Sequence, residues 1–213
     1  VKNQGDIPAY GFTPPFTDGI KESKPEWFAT WTQEQRNEKA RQLLEEAGYN
    51  KANPLKFKLL YNTSDLHKKV AIAASSIWKK NLGAEVSLEN QEWKTFLDTR
   101  HQGTYDVARA GWCADYNEPS SFLNMMLSYS SNNTVHYKNT EFDALIKESL
   151  RVKSDDERAT IYQKAEGVLD KDSAIVPLYY YVNTRLVKPY VGGYSGKDPL
   201  DNLHTKDLYI IAK

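Results

Sequence analysis

The chain has 213 residues, 28 Lys and Arg against 28 Asp and Glu, a formal net charge of zero and a mean hydropathy of -0.68. That length suits one sizeable domain, or one domain with an extension, and the balanced charge removes the electrostatic reason to expect nucleic acid or an anionic membrane as partner. No apolar run approaches the ~20 residues that cross a bilayer, and a single cysteine, Cys113, rules out an internal disulfide or a cluster of thiolate metal ligands.

The chain opens with Val1-Lys2-Asn3-Gln4-Gly5, which reads as the interior of a longer polypeptide and leads us to expect a processed or truncated piece. Residues 1–31 read as a long irregular connection, broken by Pro8, Gly11, Pro14, Pro15, Gly19 and Pro25. A helix is predicted from Thr32, with Gln35 completing a capping box. Its apolar face is Ala40, Leu43, Leu44 and Ala47, and Gly48 stops it. Residues 55–59 alternate as a strand with one buried face. A second helix covers 64–82, with Leu66, Val70, Ala73 and Ile77 as its stripe and Gly83 as its end. A short strand at 85–88, a helix around 91–101 carrying Trp93, Phe96 and Leu97, and a strand at 105–109 follow.

Strands separated by helices imply βαβ units and a largely parallel sheet. Three more helices are predicted near 119–127, 140–152 and 154–170, the last with Ser154 and Glu157 as a capping box. Residues 174–182 read as extended and buried. After about residue 183, Pro189, Gly192, Gly193, Gly196 and Pro199 leave little room for helix, and a strand-like run at 208–211 closes the chain. That tail reads as an appendage to the α/β unit, and no internal repeat is visible.

Open α/β sheets bind ligands beyond the carboxyl ends of their strands. The third strand ends there, with Arg109, Trp112 and Asp115 close in sequence. Arg109 offers a fork for a carboxylate, Asp115 a partner for an ammonium group, and Trp112 a wall; a purely local structural role for all three stays open. The 5 Trp, 14 Tyr and 7 Phe serve either core packing or a surface that grips varied organic ligands. Cys113 with His67, His101, His136 or His204 could form a nucleophile pair, but no local signature surrounds it. No H-E-x-x-H, P-loop or G-x-G-x-x-G occurs, so neither metal nor nucleotide cofactor has motif support. By spacing alone, His67 and Arg100 read as residues of solvated helix faces, and Tyr179–Tyr181 as strand packing.

Three stretches carry a resemblance: residues 60–69 (Leu60-Tyr61-Asn62-Thr63-Ser64-Asp65-Leu66-His67-Lys68-Lys69), 90–103 around Trp93 and Arg100, and 106–119 (Asp106-Val107-Ala108-Arg109-Ala110-Gly111-Trp112-Cys113-Ala114-Asp115-Tyr116-Asn117-Glu118-Pro119). With residues 170–177 and 191–194, they resemble the periplasmic oligopeptide-binding receptors of Gram-negative ABC importers, over essentially the whole chain. The Gly111–Tyr116 segment is less similar to the related murein-tripeptide receptor.

The resemblance implies an α/β fold, a periplasmic-binding-protein type II lobe. Residues 1–182 would form the third, peptide-binding lobe of a three-lobed receptor, and 183–213 a crossover tail that completes the first. It implies short oligopeptides held as extended strands by their backbones with little sequence selectivity, in roomy hydrated pockets, then delivered in the periplasm to membrane-embedded ABC permease subunits. No catalysis, cofactor, metal or nucleic acid is expected. Asp115 is similar to the residue that neutralises the peptide ammonium, and Arg109, His67 and Lys2 to the cations that meet the carboxylate of peptides of different length. Trp93, Arg100 and Trp112 are similar to pocket walls. Cys113, within the same ligand-binding segment, is similar to one half of a disulfide whose partner precedes this chain.

The rivals are a cysteine hydrolase using Cys113 and a chaperone-like module that ignores free peptide termini. In isolation the run at 208–211 would be an unpaired strand, so the tail is expected to fold onto its own unit or to exchange with another copy in a crystal, exchange being preferred. The missing N-terminal part of the receptor is the other partner implied.

Overall fold

The computed structural model describes residues 5–21, 30–196, 198 and 200–211. The described chain falls into two compact units. The first comprises residues 30–111 and 128–138, and the second the described residues of 5–21, 112–127 and 139–211. Residues 183–196 and 200–211 cluster with the second unit.

β1 (Ile7–Pro8) precedes the first unit's elements, which are α1 (Gln33–Glu46), β2 (Lys56–Asn62), α2 (Asp65–Leu82), β3 (Glu85–Gln91), α3 (Trp93–Gln102) and β4 (Val107–Ala108). β2 is the centre of a parallel sheet in the order β3-β2-β4, with Lys56 opposite Glu85 and Leu59 opposite Val107. The βαβ expectation is met. β2 runs three residues past its expected end, and its last four residues are buried on both faces, as a central parallel strand requires. Leu59 and Tyr61 cluster with Ala71 of α2, and Trp78 and Val86 pack against them.

The helix boundaries follow their caps. Thr32 and Gln35 form the capping box of α1, the Ser64 hydroxyl accepts the His67 N–H at the start of α2, and Gly83 ends α2 at φ +70°, which glycine adopts without steric cost. The apolar stripes need correction. α1 buries no residue and Leu43 is exposed, while on α2 Ile77 is exposed and Ala71 is the residue buried. The inner face of α2 is thus the row of His67, Ala71 and Trp78, in which the small Ala71 lets the helix approach the sheet.

The second unit is built on α5 (Thr140–Ser149) and α6 (Asp155–Asp172), which pack along each other, with α4 (Ser120–Leu123) against α6 and a 3-10 turn (Asn124–Met126) continuing α4. Its core is Phe122, Leu123, Met126, Phe142, Ile146, Tyr162, Ala165 and Leu169. The helix expected over 119–127 is this short α turn continued as 3-10. β1 pairs antiparallel with β5 (Tyr179–Tyr180). The expected buried segment at 174–182 is corrected: only two of its residues form strand, and Val176 is 73% exposed. The terminal run does have a backbone partner. β7 (Tyr209–Ile210) pairs antiparallel with β6 (Val191–Gly192), and the Ile211 N–H donates to the Tyr190 carbonyl at 2.8 Å.

Candidate peptide site

In the first unit, a cationic group gathers at the carboxyl end of the sheet. The Arg109 N–H donates to the Leu60 carbonyl at 2.8 Å, which continues the parallel ladder past β4 and fixes the backbone of Arg109 there. Asn62 is the last residue of β2, and its Oδ1 lies 2.9 Å from His67 Nδ1. If Nδ1 carries the proton, it donates to that amide oxygen and fixes the ring's tautomer. His67 is half-buried, so the expected solvated face is corrected.

Arg100 ends a ladder on one face of α3. Trp93 and Phe96 stack with centroids 5.8 Å apart at 26°, and the Arg100 guanidinium lies 5.5 Å from the Phe96 ring centre. The spacing i, i+3, i+7 produces this row, and cation–π attraction supports its end. Arg100 Nη2 donates to Thr134 Oγ1 at 2.7 Å, while its Nε is buried with no hydrogen-bond partner. Burial lowers the Arg100 pKa, Tyr105 opposes that shift, and the nearby charge of Arg109 lowers it further. An arginine keeps its charge all the same, so the charge of Arg109 works against that of Arg100. Arg100 is therefore not a solvated-face residue. Trp93 is 51% exposed and offers a flat apolar surface at the other end of the row.

In the second unit, residues 112–116 have no regular structure and are held by α4. The Asp115 N–H donates to Ser121 Oγ at 2.8 Å, and Trp112 Nε1 donates to the Ser121 carbonyl at 2.9 Å. The Glu118 carboxylate accepts the Ser120 N–H at 2.9 Å and the Ser120 hydroxyl. Tyr116 shares a hydrogen bond with that hydroxyl at 2.9 Å. Burial and the neighbouring Glu118 carboxylate push the Tyr162 hydroxyl up to about 12, so it stays neutral. Asn117 is tied to Asp18 by two hydrogen bonds, 2.7 and 3.3 Å. On this clamped loop Asp115 is exposed, and among the described residues its carboxylate has no hydrogen-bond or ion-pair partner. Cys113 is a free, exposed thiol.

Lys2 lies outside the described residues. His67, Trp93, Arg100 and Arg109 belong to the first unit, and Trp112, Cys113 and Asp115 to the second, the division falling between Gly111 and Trp112. Sequence reasoning missed Asn62, Thr134 and Ser121. Asn62 had a signal, a polar residue ending a strand just before a capped helix; Thr134 and Ser121 had none, because their roles depend on chain reversals. The other histidines are engaged elsewhere: His101 Nδ1 lies 2.8 Å from the Leu97 carbonyl, His136 Nε2 3.1 Å from the His101 carbonyl, and His204 3.4 Å from Asp198. Among the described residues no group of three or more His, Cys, Asp or Glu is arranged to hold a metal ion, and no helix is long and apolar enough to cross a membrane.

Residues 1–134 match the family described as bacterial extracellular solute-binding proteins, family 5 Middle. The chain is 71% identical over 211 residues to the periplasmic oligopeptide-binding protein OppA of Salmonella typhimurium, covering 99% of this chain and 39% of that protein. Among solved structures, Haemophilus influenzae OppA in complex with RPPGFSPFR is similar at TM-score 0.87 and 55% identity, covering 98% of this chain and 41% of that one. The murein tripeptide binding protein MppA of Escherichia coli is similar at TM-score 0.88 and 43% identity, with the same coverage of 98% and 41%. The chain thus spans about two fifths of the length of the relatives it matches (39% for the Salmonella protein). With those structural neighbours, the parallel α/β architecture is that of a type II periplasmic-binding-protein lobe. The chain belongs to the bacterial extracellular solute-binding proteins of family 5.

Proposed function

We propose that this chain is the peptide-gripping part of a periplasmic receptor that captures short oligopeptides and hands them to an ABC permease, without catalysis or cofactor. What supports the reading is the 71% identity to a periplasmic oligopeptide-binding protein, beside the charged groups that each unit presents by itself. A solvent-facing carboxylate sits on a clamped loop at Asp115 in the second unit, and in the first unit Arg109 and His67 stand at the carboxyl end of the sheet, with Arg100 on α3. An unblocked peptide supplies one ammonium and one carboxylate. Trp93 and Trp112 provide flat walls that tolerate varied side chains. In this reading Lys2 joins the carboxylate-binding cations, Cys113 is bonded to a cysteine that precedes the chain, and residues 183–213 complete another lobe of the receptor.

The test is peptide affinity of the full-length receptor, measured by calorimetry. Asp115→Asn removes the charge and keeps the shape. It should weaken unblocked peptides by about tenfold or more, the scale of an enclosed charge-assisted pair that loses one partner, and leave N-acetylated peptides within about twofold. Equal losses for both ligands would remove Asp115 from the ammonium site. Cys113→Ser leaving capture intact separates this reading from a cysteine hydrolase.

A further inference from the structure

Beneath the Asp115 loop, one residue makes two hydrogen bonds to two different parts of the proposed ligand-binding segment. Ser121 is buried, at the second position of α4. Its hydroxyl oxygen accepts the Asp115 N–H at 2.8 Å, and its carbonyl accepts the Trp112 indole N–H at 2.9 Å. Its own N–H donates to the Glu118 carbonyl at 3.0 Å, so Ser121 is itself fixed by the turn that starts α4. The loop it holds has no ladder or helical bond of its own between 112 and 114. Asp115 is exposed and takes no side-chain partner among the described residues. Its direction is then set by the Asp115 backbone, whose N–H donates to Ser121.

We infer that Ser121 is a positioning residue for the ammonium-binding carboxylate. It makes no ligand contact; its Oγ holds the Asp115 backbone so that the carboxylate is presented before the peptide arrives. A charge-assisted bond to an ammonium is strong only within a narrow range of distance and angle. A carboxylate that wanders lowers the fraction of receptor competent to bind, and apparent affinity falls in the same proportion. The Trp112 bond, made through the Ser121 carbonyl, survives any side-chain substitution, so the two functions of this residue are separable by mutation.

The inference rests on the proposed peptide-binding reading and is tested beside it in the full-length receptor. Calorimetry with one tripeptide, unblocked and N-acetylated, is run on the parent, Ser121→Ala, Asp115→Asn and the double variant. Ser121→Ala should weaken the unblocked peptide about fivefold, the scale of one lost hydrogen bond, and the acetylated peptide less than twofold. The double variant should bind no more weakly than Asp115→Asn alone, because Ser121 acts through Asp115. Ser121→Thr, which keeps the hydroxyl, should restore parental affinity, whereas the near-isosteric Ser121→Val should repeat the alanine result; this pair carries the test if the alanine variant does not fold. Parental affinity in Ser121→Ala or Ser121→Val, equal losses for both peptides, or additive losses in the double variant would each overturn the assignment of Ser121. If Asp115→Asn alone discriminates the two peptides, the wider reading stands regardless of that outcome.

Discussion

The two compact units present opposite charges by different means. In the first, Arg109 and His67 stand at the ends of regular elements. The Arg109 backbone continues a parallel ladder through its bond to Leu60, and His67 sits on the inner row of an 18-residue helix. In the second, Asp115 stands on an irregular loop whose direction depends on side chains: Ser121, Glu118 and the Asn117–Asp18 pair. A regular framework is redundant, since many backbone bonds share the task of aiming each side chain. A clamped loop is not, and the loss of one polar atom is felt at the site. The first kind of placement should yield only to a loss of packing, the second to the loss of a single hydrogen bond.

Packing loss in the framework is the largest effect expected. Phe96 is fully buried in the middle of the row that joins Trp93 to Arg100. Phe96→Ala removes that ring and leaves a cavity, so denaturant unfolding should show a loss of about 3–5 kcal/mol. Under the proposed peptide reading, in which the row lies away from the ammonium end, unblocked and N-acetylated peptides should be weakened alike. A loss below about 1 kcal/mol would mean that the row is not packed as a unit.

The second unit contains its own critical polar contact, far from Asp115 in sequence. The Glu166 carboxylate accepts the N–H groups of Phe12 and Thr13, both at 2.8 Å, and so ties the segment before α1 to α6. Glu166→Ala strands both donors and should cost about 2–4 kcal/mol. Burial raises the Glu166 pKa, the hydrogen bonds from Thr13 and Phe12 oppose the shift, and Asp170 adds to it. The sign follows from proton counting. Between the ordinary carboxylate value and the raised one, the folded state binds more protons than the unfolded state, so stability rises as pH falls through the raised value and levels off below the ordinary one. Glu166→Gln cannot titrate. Its stability should lack that acid-side gain, and an unchanged slope would show that another group carries it.

The contrast between framework and loop also explains what was legible in the sequence. Periodicity and caps located α1, α2 and the parallel sheet because Thr32, Ser64, Gly48 and Gly83 act on neighbours within a few residues. The stripe on α2 was misplaced, since hydrophobicity favours Ile77 whereas close approach to β2 selects Ala71. His67 consequently sits on the inner face, where composition does not put a histidine. Residues 174–182 misled through their β-branched and aromatic content, which marks strand propensity but not burial; only Tyr179 and Tyr180 found a partner strand. Asp115, Arg109 and Trp112 were nameable from their place after a strand and from family resemblance. Ser121 was not, because its partners lie six and nine residues back across a turn that no local pattern encodes.

The smallest expected effect gives the sharpest comparison, because the same substitution can be made at both kinds of support. Ser64 and Ser121 each accept the backbone N–H of a proposed ligand residue: Ser64 that of His67 at 3.4 Å, and Ser121 that of Asp115 at 2.8 Å. Ser64→Ala removes an N-cap and should lower stability by about 1 kcal/mol. His67 nonetheless keeps its place, because the helix continues through Leu82 and the ring is bonded to Asn62. Peptide affinity in Ser64→Ala should therefore stay within about twofold of the parent, while Ser121→Ala loses about fivefold on unblocked peptides. Melting curves and calorimetry on the two variants side by side decide the matter. A Ser64→Ala receptor that folds stably yet binds as weakly as Ser121→Ala would mean that His67 is aimed by its cap and not by the helix, and the distinction between the two units would fall.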